Sequence, residues 1–415
     1  MEIATAQITS PADHSAEELL TPKMTAYPER GLVAWSVVLG SWMACFGSMG
    51  LMNSLGIFQA YLEDHELRSY SSNTIAWIFG LYSFLGFFCG IQVGPIFDAK
   101  GPRVLIICGT TGTIICLVIM SFCKLYWQFM VVFSVIGGIS LSLTFNPAIS
   151  IVAHYFNRRR GLATGIASSG ASFGGLIFPL LFQNVVAKVG FAWAVRVIAL
   201  VDLVAFIGAI LLIRPRFKPK STKVGAIIPD ISVFGDVGLM LASMGMFFME
   251  WGLFVPITYL TSYALSHGKS SEFSFLLLSL INCGAIFGRW IPGRFNTFII
   301  TIFGCLLFSA CLWLPAAFAL LFGFSSGSNV SLAPVCIGQL CRLEAYGRYY
   351  ATAYAIVSIS TLTGIPIAGE ILARCNGDFW GMIVFTIVSY AASLICLVAA
   401  KIYICGWTGI ITAVY

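Results

Sequence analysis

Long apolar runs recur along this chain, each of about the length needed to cross a lipid bilayer. They fall at about 32–60, 74–97, 103–123, 126–152, 161–187 and 191–213, and again at about 234–264, 273–292, 297–314, 317–338, 349–373 and 379–404. A helix crossing the hydrocarbon layer needs roughly 20 mostly apolar residues. In lipid the backbone must satisfy its own hydrogen bonds, which leaves helices as the form for segments of this kind. The expected fold class is therefore an all-α polytopic membrane protein, with twelve transmembrane helices in two six-helix halves. Composition agrees, because only 10% of the residues are charged against roughly 25% in a soluble domain.

The sixth and seventh runs are separated by the basic stretch Arg214-Pro215-Arg216-Phe217-Lys218-Pro219-Lys220. The expected organisation is a disordered cytoplasmic tail at 1–30, a first half at 31–213, a basic cytoplasmic linker at 214–232 and a second half at 233–415. Asp13, Glu17 and Glu18 stand where a signal peptide would need an apolar core, so the first span is expected to act as the insertion signal. Lys and Arg divide unequally between the two sides. One side collects sixteen, among them Arg103, Arg158, Arg159, Arg160, Arg214 and Arg216, and the other only Arg68, Lys124, Lys188, Lys269 and Arg374. The basic-rich side is expected to be cytoplasmic, with both termini inside; the plasma membrane is the expected location.

Several patterns that suggest other chemistry fail on context. The net charge of +6 comes from residues at span ends and not from one patch, so no nucleic-acid partner is expected. The thirteen cysteines are scattered without a Cys-x-x-Cys pair, and the four histidines are dispersed, so neither disulfides nor a metal is expected. No cofactor is expected either. Two Gly-x-Ser-x-Gly matches, at 170–174 and 323–327, lie within spans, where a nucleophile elbow would need a preceding strand. Gly268-Lys269-Ser270 lacks the leading glycine of a phosphate-binding loop, which is Tyr263 here. The glycosylation sequon Asn329-Val330-Ser331 also falls within a span. Nothing in the sequence supports an enzyme.

Charged residues inside the spans are the candidates for function, since a charge in the bilayer normally faces the bundle interior. These are Asp202, Glu250, Arg289 and Glu370. Glu370 and Arg374 stand one helical turn apart and are expected to pair structurally. Asp202 is open to two readings, a neutral packing residue or part of a translocation path. Arg289 suits a planar carboxylate through its guanidinium fork; the alternative is a gate pair with Glu250, or a side chain reaching to the cytoplasmic surface.

Three motifs add a family resemblance. The stretch Tyr155-Phe156-Asn157-Arg158-Arg159-Arg160, followed by Gly161, Gly165 and Gly170, resembles the fifth-helix signature of monocarboxylate-porter-like members of the major facilitator superfamily. Gly94-Pro95-Ile96-Phe97-Asp98-Ala99-Lys100-Gly101-Pro102-Arg103 resembles the superfamily's loop between helices 2 and 3. The resemblance implies that Gly94, Asp98, Gly101 and Arg103 form a cytoplasmic gate loop. Asn282-Cys283-Gly284-Ala285-Ile286-Phe287-Gly288-Arg289 resembles the porters' helix-8 segment, whose arginine is held to bind the substrate carboxylate. Helices 2 and 5 face the opposite half in that fold, so the rows Gly86, Gly90, Gly94, then Gly161, Gly165, and Gly170, Gly174 are expected to serve sliding contacts there.

Two departures stand out. Ala285 replaces the porters' aspartate, and Asn53 appears at the position of a helix-1 lysine tied to proton and substrate coupling. The pattern is closer to the fungal branch. The expected function is a secondary active transporter moving a small, carboxylated organic acid or related metabolite by alternating access. Arg289, Asn53, Asn282, Glu250 and Asp202 are its expected substrate or translocation residues, and protons, carried by Glu250, are the expected coupling ion. Efflux of a secondary metabolite is the alternative in the same fold, and a transport-inactive nutrient sensor the alternative from another class. The second half looks trimmed: Arg294-Phe295-Asn296 leads directly into a span, and Leu314-Pro315-Ala316 leaves almost no loop.

Overall fold

In the computed structural model, residue 28 and residues 30–216, 234–290, 315–341 and 346–405 are described. Among them the regular structure is entirely helical. Among the described residues nine helical segments are long and apolar enough to cross a membrane, and two shorter apolar stretches lie at Leu276–Trp290 and Phe318–Gly327. The tail at 1–27, most of the linker, the run at 297–314 and Arg342 lie outside the described residues.

The first half opens with α1 (Leu32–Met52) and α2 (Leu55–Asp64), which together make one span interrupted at Asn53-Ser54. The second span is likewise two helices, α3 (Ser72–Phe88) and α4 (Gly90–Lys100), meeting at Cys89. Ser71 starts α3 by accepting a hydrogen bond from the Thr74 amide at 3.3 Å, which satisfies one of the donors left free at a helix N-terminus. Gly101 then turns the chain with φ 79°, and Pro102 opens α5 (Pro102–Met120). That backbone region favours glycine, and proline suits a first helical turn, where its missing amide costs nothing. The fourth span joins α6 (Tyr126–Phe129), a π-helical stretch (Met130–Gly137) and α7 (Gly138–Tyr155). α8 (Arg160–Val189) and α9 (Phe191–Leu212) complete this half.

In the second half α10 (Val237–Ser266) begins at Asp236, whose carboxylate accepts from the Leu239 amide at 3.2 Å. α11 (Ser271–Trp290), α12 (Pro315–Leu340), α13 (Tyr346–Arg374) and α14 (Trp380–Cys405) follow. Proline lies inside α4, α7, α8, α10 and α13. Each removes one helical donor, which membrane helices tolerate when a neighbour satisfies the freed carbonyl.

Burial separates central from peripheral helices. The most apolar window of α8 is 67% buried, but that of α9 only 33% and that of α14 only 28%. Leu200, Val204 and Leu211 on α9, with Val388 and Ile395 on α14, form the exposed apolar surface lipid would cover. Between helices lipid offers no hydrophobic drive, so close van der Waals fit has to hold them together. Two crossings show it. Gly170 and Gly174 of α8 lie against the Trp42 and Phe46 carbonyls of α1, and Gly284 and Gly288 of α11 against those of Leu320 and Phe324 on α12. Both pairs advance in the same direction, so the helices run parallel.

These crossings correct one expectation. Gly170 and Gly174 meet α1 of their own half, and Gly86 and Gly90 meet Leu141 and Asn146 of α7, also in their own half. These four glycines hold the first half together, as Gly284 and Gly288 do the second. The surfaces between halves use other residues.

Candidate functional site

Among the described residues, two helix pairs make the main seams between the halves. In the first, α3 lies against α13: Asn73 is beside Gly369, Gly80 faces the Leu362 carbonyl, and the Phe87 and Tyr354 rings are 5.3 Å apart. In the second, α8 lies against α11. Arg289 donates from Nη1 to the Ser168 carbonyl, and Asn282 donates from Nδ2 to the Gly175 carbonyl at 3.3 Å. Along each seam the contacts climb one helix as they descend the other, so both pairs are antiparallel.

The second seam gathers most of the residues singled out by sequence. Arg289 is only 4% exposed, and its Nε has no hydrogen-bond partner. Cys45 of α1 and Glu250 of α10 lie within electrostatic range of its guanidinium. Glu250 is 7% exposed and, among the described residues, makes neither an ion pair nor a hydrogen bond with Arg289. A direct Arg289–Glu250 gate pair is therefore absent here, and Arg289 points into the other half instead of to the surface. Asn53, at the C-terminal end of α1, donates from Nδ2 to the Ala171 carbonyl at 3.1 Å. Gly175 is wedged between Asn53 and Asn282, since a Cβ there would lie 2.7 Å from Asn53 Cβ and 2.6 Å from Asn282 Oδ1.

Asp202 is elsewhere. It is fully buried within the first half, where it faces Gly47 of α1 and lies near Tyr82 of α3, and neither carboxylate oxygen has a hydrogen-bond partner. Glu370 and Arg374 form the expected pair at 2.9 Å, both well exposed. An apolar cavity of about 60 Å³ lies inside the second half, among Tyr259, Tyr263, Phe318, Phe379 and Met382. No charged side chain lines it, so it does not share the chemistry of the seam.

The two sequence motifs brace the first half, and Arg160 of the second motif also reaches the other half. Gly94 and Asp98 belong to α4 and not to a loop, because that helix continues to Lys100; the Asp98 side chain lies outside the described residues. Arg103 donates from Nε to the Ile213 carbonyl at 3.5 Å, meeting the negative end of α9. Tyr155 donates its hydroxyl to the Arg214 carbonyl at 3.0 Å, Phe156 packs edge-on against Trp35, and Arg216 donates to the His154 carbonyl. Arg158 and Arg159 are exposed, while Arg160 is half-buried with its guanidinium against Gly338 of α12. Gly165 is buried in α8.

Sequence reasoning missed Ser168 and Gly175, whose carbonyls are the acceptors of the second seam, and Cys45, which lies within electrostatic range of Arg289. One signal was available: Pro179 has no amide for the carbonyl four residues earlier, and that carbonyl belongs to Gly175.

Comparison with known proteins gives the same picture. The Riboflavin transporter MCH5 of Saccharomyces cerevisiae is 31% identical to this chain, covering 96% of it and 84% of that protein. The Fujikurins efflux protein of Gibberella fujikuroi is 35% identical, covering 90% of this chain and 82% of that protein. The crystal structure of the human organic anion transporter MFSD10 (TETRAN) has the same fold, with a TM-score of 0.66 at 16% identity, covering 89% of this chain and 98% of that one. Residues 37–365 match the family described as Major Facilitator Superfamily. With transporters as its relatives and this helical architecture, the chain is an integral, multi-pass membrane transporter and belongs to the major facilitator superfamily.

Proposed function

We propose that this transporter moves a small organic anion by alternating access, with the α8–α11 seam as part of its substrate path and Arg289 as the anion-binding group. The reading rests chiefly on Arg289, a buried guanidinium that reaches across to the first half and keeps one N–H without a partner. A cation held this way is costly in a bilayer unless an anion visits it. Asn53 and Asn282 supply neutral donors farther along the same side of α8, on the Ala171 and Gly175 carbonyls. Glu250, close by but not ion-paired, is positioned to carry a coupling proton. The motif resemblance favours the monocarboxylate-porter-like branch, and the excess of basic residues on one side favours cytoplasmic termini and residence in the plasma membrane.

Uptake of labelled organic acids into proteoliposomes, with and without an imposed proton gradient, tests this. Arg289→Ala is expected to lower kcat/KM at least about tenfold, in line with the loss of a charge-assisted hydrogen bond. Glu250→Gln is expected to abolish stimulation by the gradient. Unaltered uptake by Arg289→Ala would overturn the anion-binding role. Efflux is the second reading, favoured by the similarity to the fujikurins efflux protein; inside-out vesicles distinguish the two directions.

A further inference from the structure

The second seam contains an acceptor that its own helix cannot satisfy. In α8 the Gly175 carbonyl would bond to the amide of residue 179, and that residue is Pro179. A carbonyl without a donor in a bilayer interior is expensive. In this structure Asn282 fills the gap from the opposite half, donating to Gly175 at 3.3 Å and to Leu278 of its own helix at 3.0 Å. The matching position of the first seam differs. There Pro366 frees the Leu362 carbonyl of α13, which faces Gly80, a residue with no side chain to donate.

Alternating access requires the seam to part. When α11 moves away, Asn282 leaves Gly175, and the freed carbonyl faces the opened space. Seven residues before it on the same helix is Ser168, the present acceptor of Arg289. That interval is about 10.5 Å of helix rise. Ser172 lies between them, fully buried, and its hydroxyl oxygen has no partner. The parted seam thus offers a guanidinium at one end, an unused hydroxyl midway and a bare carbonyl at the other end.

We propose that the substrate is an elongated organic anion with a hydroxyl or N–H donor at the end remote from its carboxylate. The carboxylate takes Arg289 from the Ser168 carbonyl, and the remote donor takes the place of Asn282 on the Gly175 carbonyl. The proposal rests on Arg289 as the anion-binding group and adds the length and polarity of what it binds.

Two probes of that reach serve as the test: 4-hydroxycinnamate, and 4-methoxycinnamate, which keeps the shape but loses the terminal donor. Binding is measured by isothermal titration on the full chain in nanodiscs. The wild type is expected to bind the hydroxylated probe about tenfold more tightly, as when a donor meets an otherwise unpaired acceptor. Pro179→Ala restores the helical amide and is expected to reduce that preference below about threefold, leaving the affinity for the methoxy probe unchanged. Asn282→Ala removes the competing donor and is expected to widen the preference. The two variants push in opposite directions, so either one that folds decides the matter. Equal affinity for the probes in the wild type, no binding of either, or a preference unmoved by these substitutions overturns the proposal. Arg289→Ala separates the two levels: weaker binding of both probes together with no wild-type preference leaves the anion site standing and removes only this inference.

Discussion

The α1–α8 crossing gives the sharpest quantitative expectation. A Cβ added at Gly174 would lie 2.6 Å from Gly50 Cα and closer still to the Phe46 carbonyl oxygen. Ordinary carbon contacts lie at about 3.5–4.0 Å, so Gly174→Ala forces the helices about 1 Å apart. Both obstructing atoms are backbone, and no side-chain rotation relieves the overlap. Overpacking of this kind costs about 1–3 kcal/mol, offset in part by the ~0.5–1 kcal/mol that alanine gains over glycine within a helix. The net expectation is a loss of about 1–2 kcal/mol, or a fall in Tm of about 2–8 °C for a unit the size of one half. Gly56→Ala is the control: it lies in α2 with nothing within 4 Å of the added carbon. It should be neutral or raise Tm slightly. Thermal unfolding of detergent-solubilised protein, followed by intrinsic tryptophan fluorescence, reads both. If Gly174→Ala melts with the wild type, the close crossing is wrong.

Other substitutions test the remaining placements. Asp202 sits apart from the seam with both oxygens unpartnered, so Asp202→Asn, which removes its ability to ionise, is expected to retain transport; loss of uptake in a folded variant would return Asp202 to the translocation path. Arg103→Ala removes a cation from the C-terminal end of α9 and should lower stability by about 0.3–1 kcal/mol, seen as a small drop in Tm. The Glu370–Arg374 pair is exposed, so Glu370→Gln should cost less than about 1 kcal/mol, and any effect should fade as salt is raised.

Spans were legible because hydropathy acts over whole segments. The six runs of the first half all appear as helices, since nothing but a helix satisfies that much backbone in lipid. Interruptions within them were not legible. Asn53-Ser54, Cys89 and the π-helical stretch at Met130–Gly137 are set by how neighbours pack, and the apolar pattern runs through them unchanged. Arg289 and Asn282 stood out by type, as polar groups in apolar surroundings. Their partners did not, because Ser168 and Gly175 offer backbone carbonyls that every residue has. The glycine rows were recognised as packing surfaces but assigned to the wrong partner, since a small-residue spacing says that a helix comes close and not which one.

Both seams pair helices that run in opposite directions, and this bears on how membrane voltage acts on the protein. The peptide dipoles of α3 and α13, and of α8 and α11, oppose one another along the membrane normal. The dipole energies of each pair in an electric field therefore largely cancel, and the paired backbones contribute little net voltage dependence to the opening of either seam. Electrical sensitivity has to come from a charge that travels, such as the Arg289 guanidinium or a bound anion, at about 2.3 kcal/mol per elementary charge moved through 100 mV. A solute whose charge balances Arg289 would make its crossing nearly indifferent to the potential.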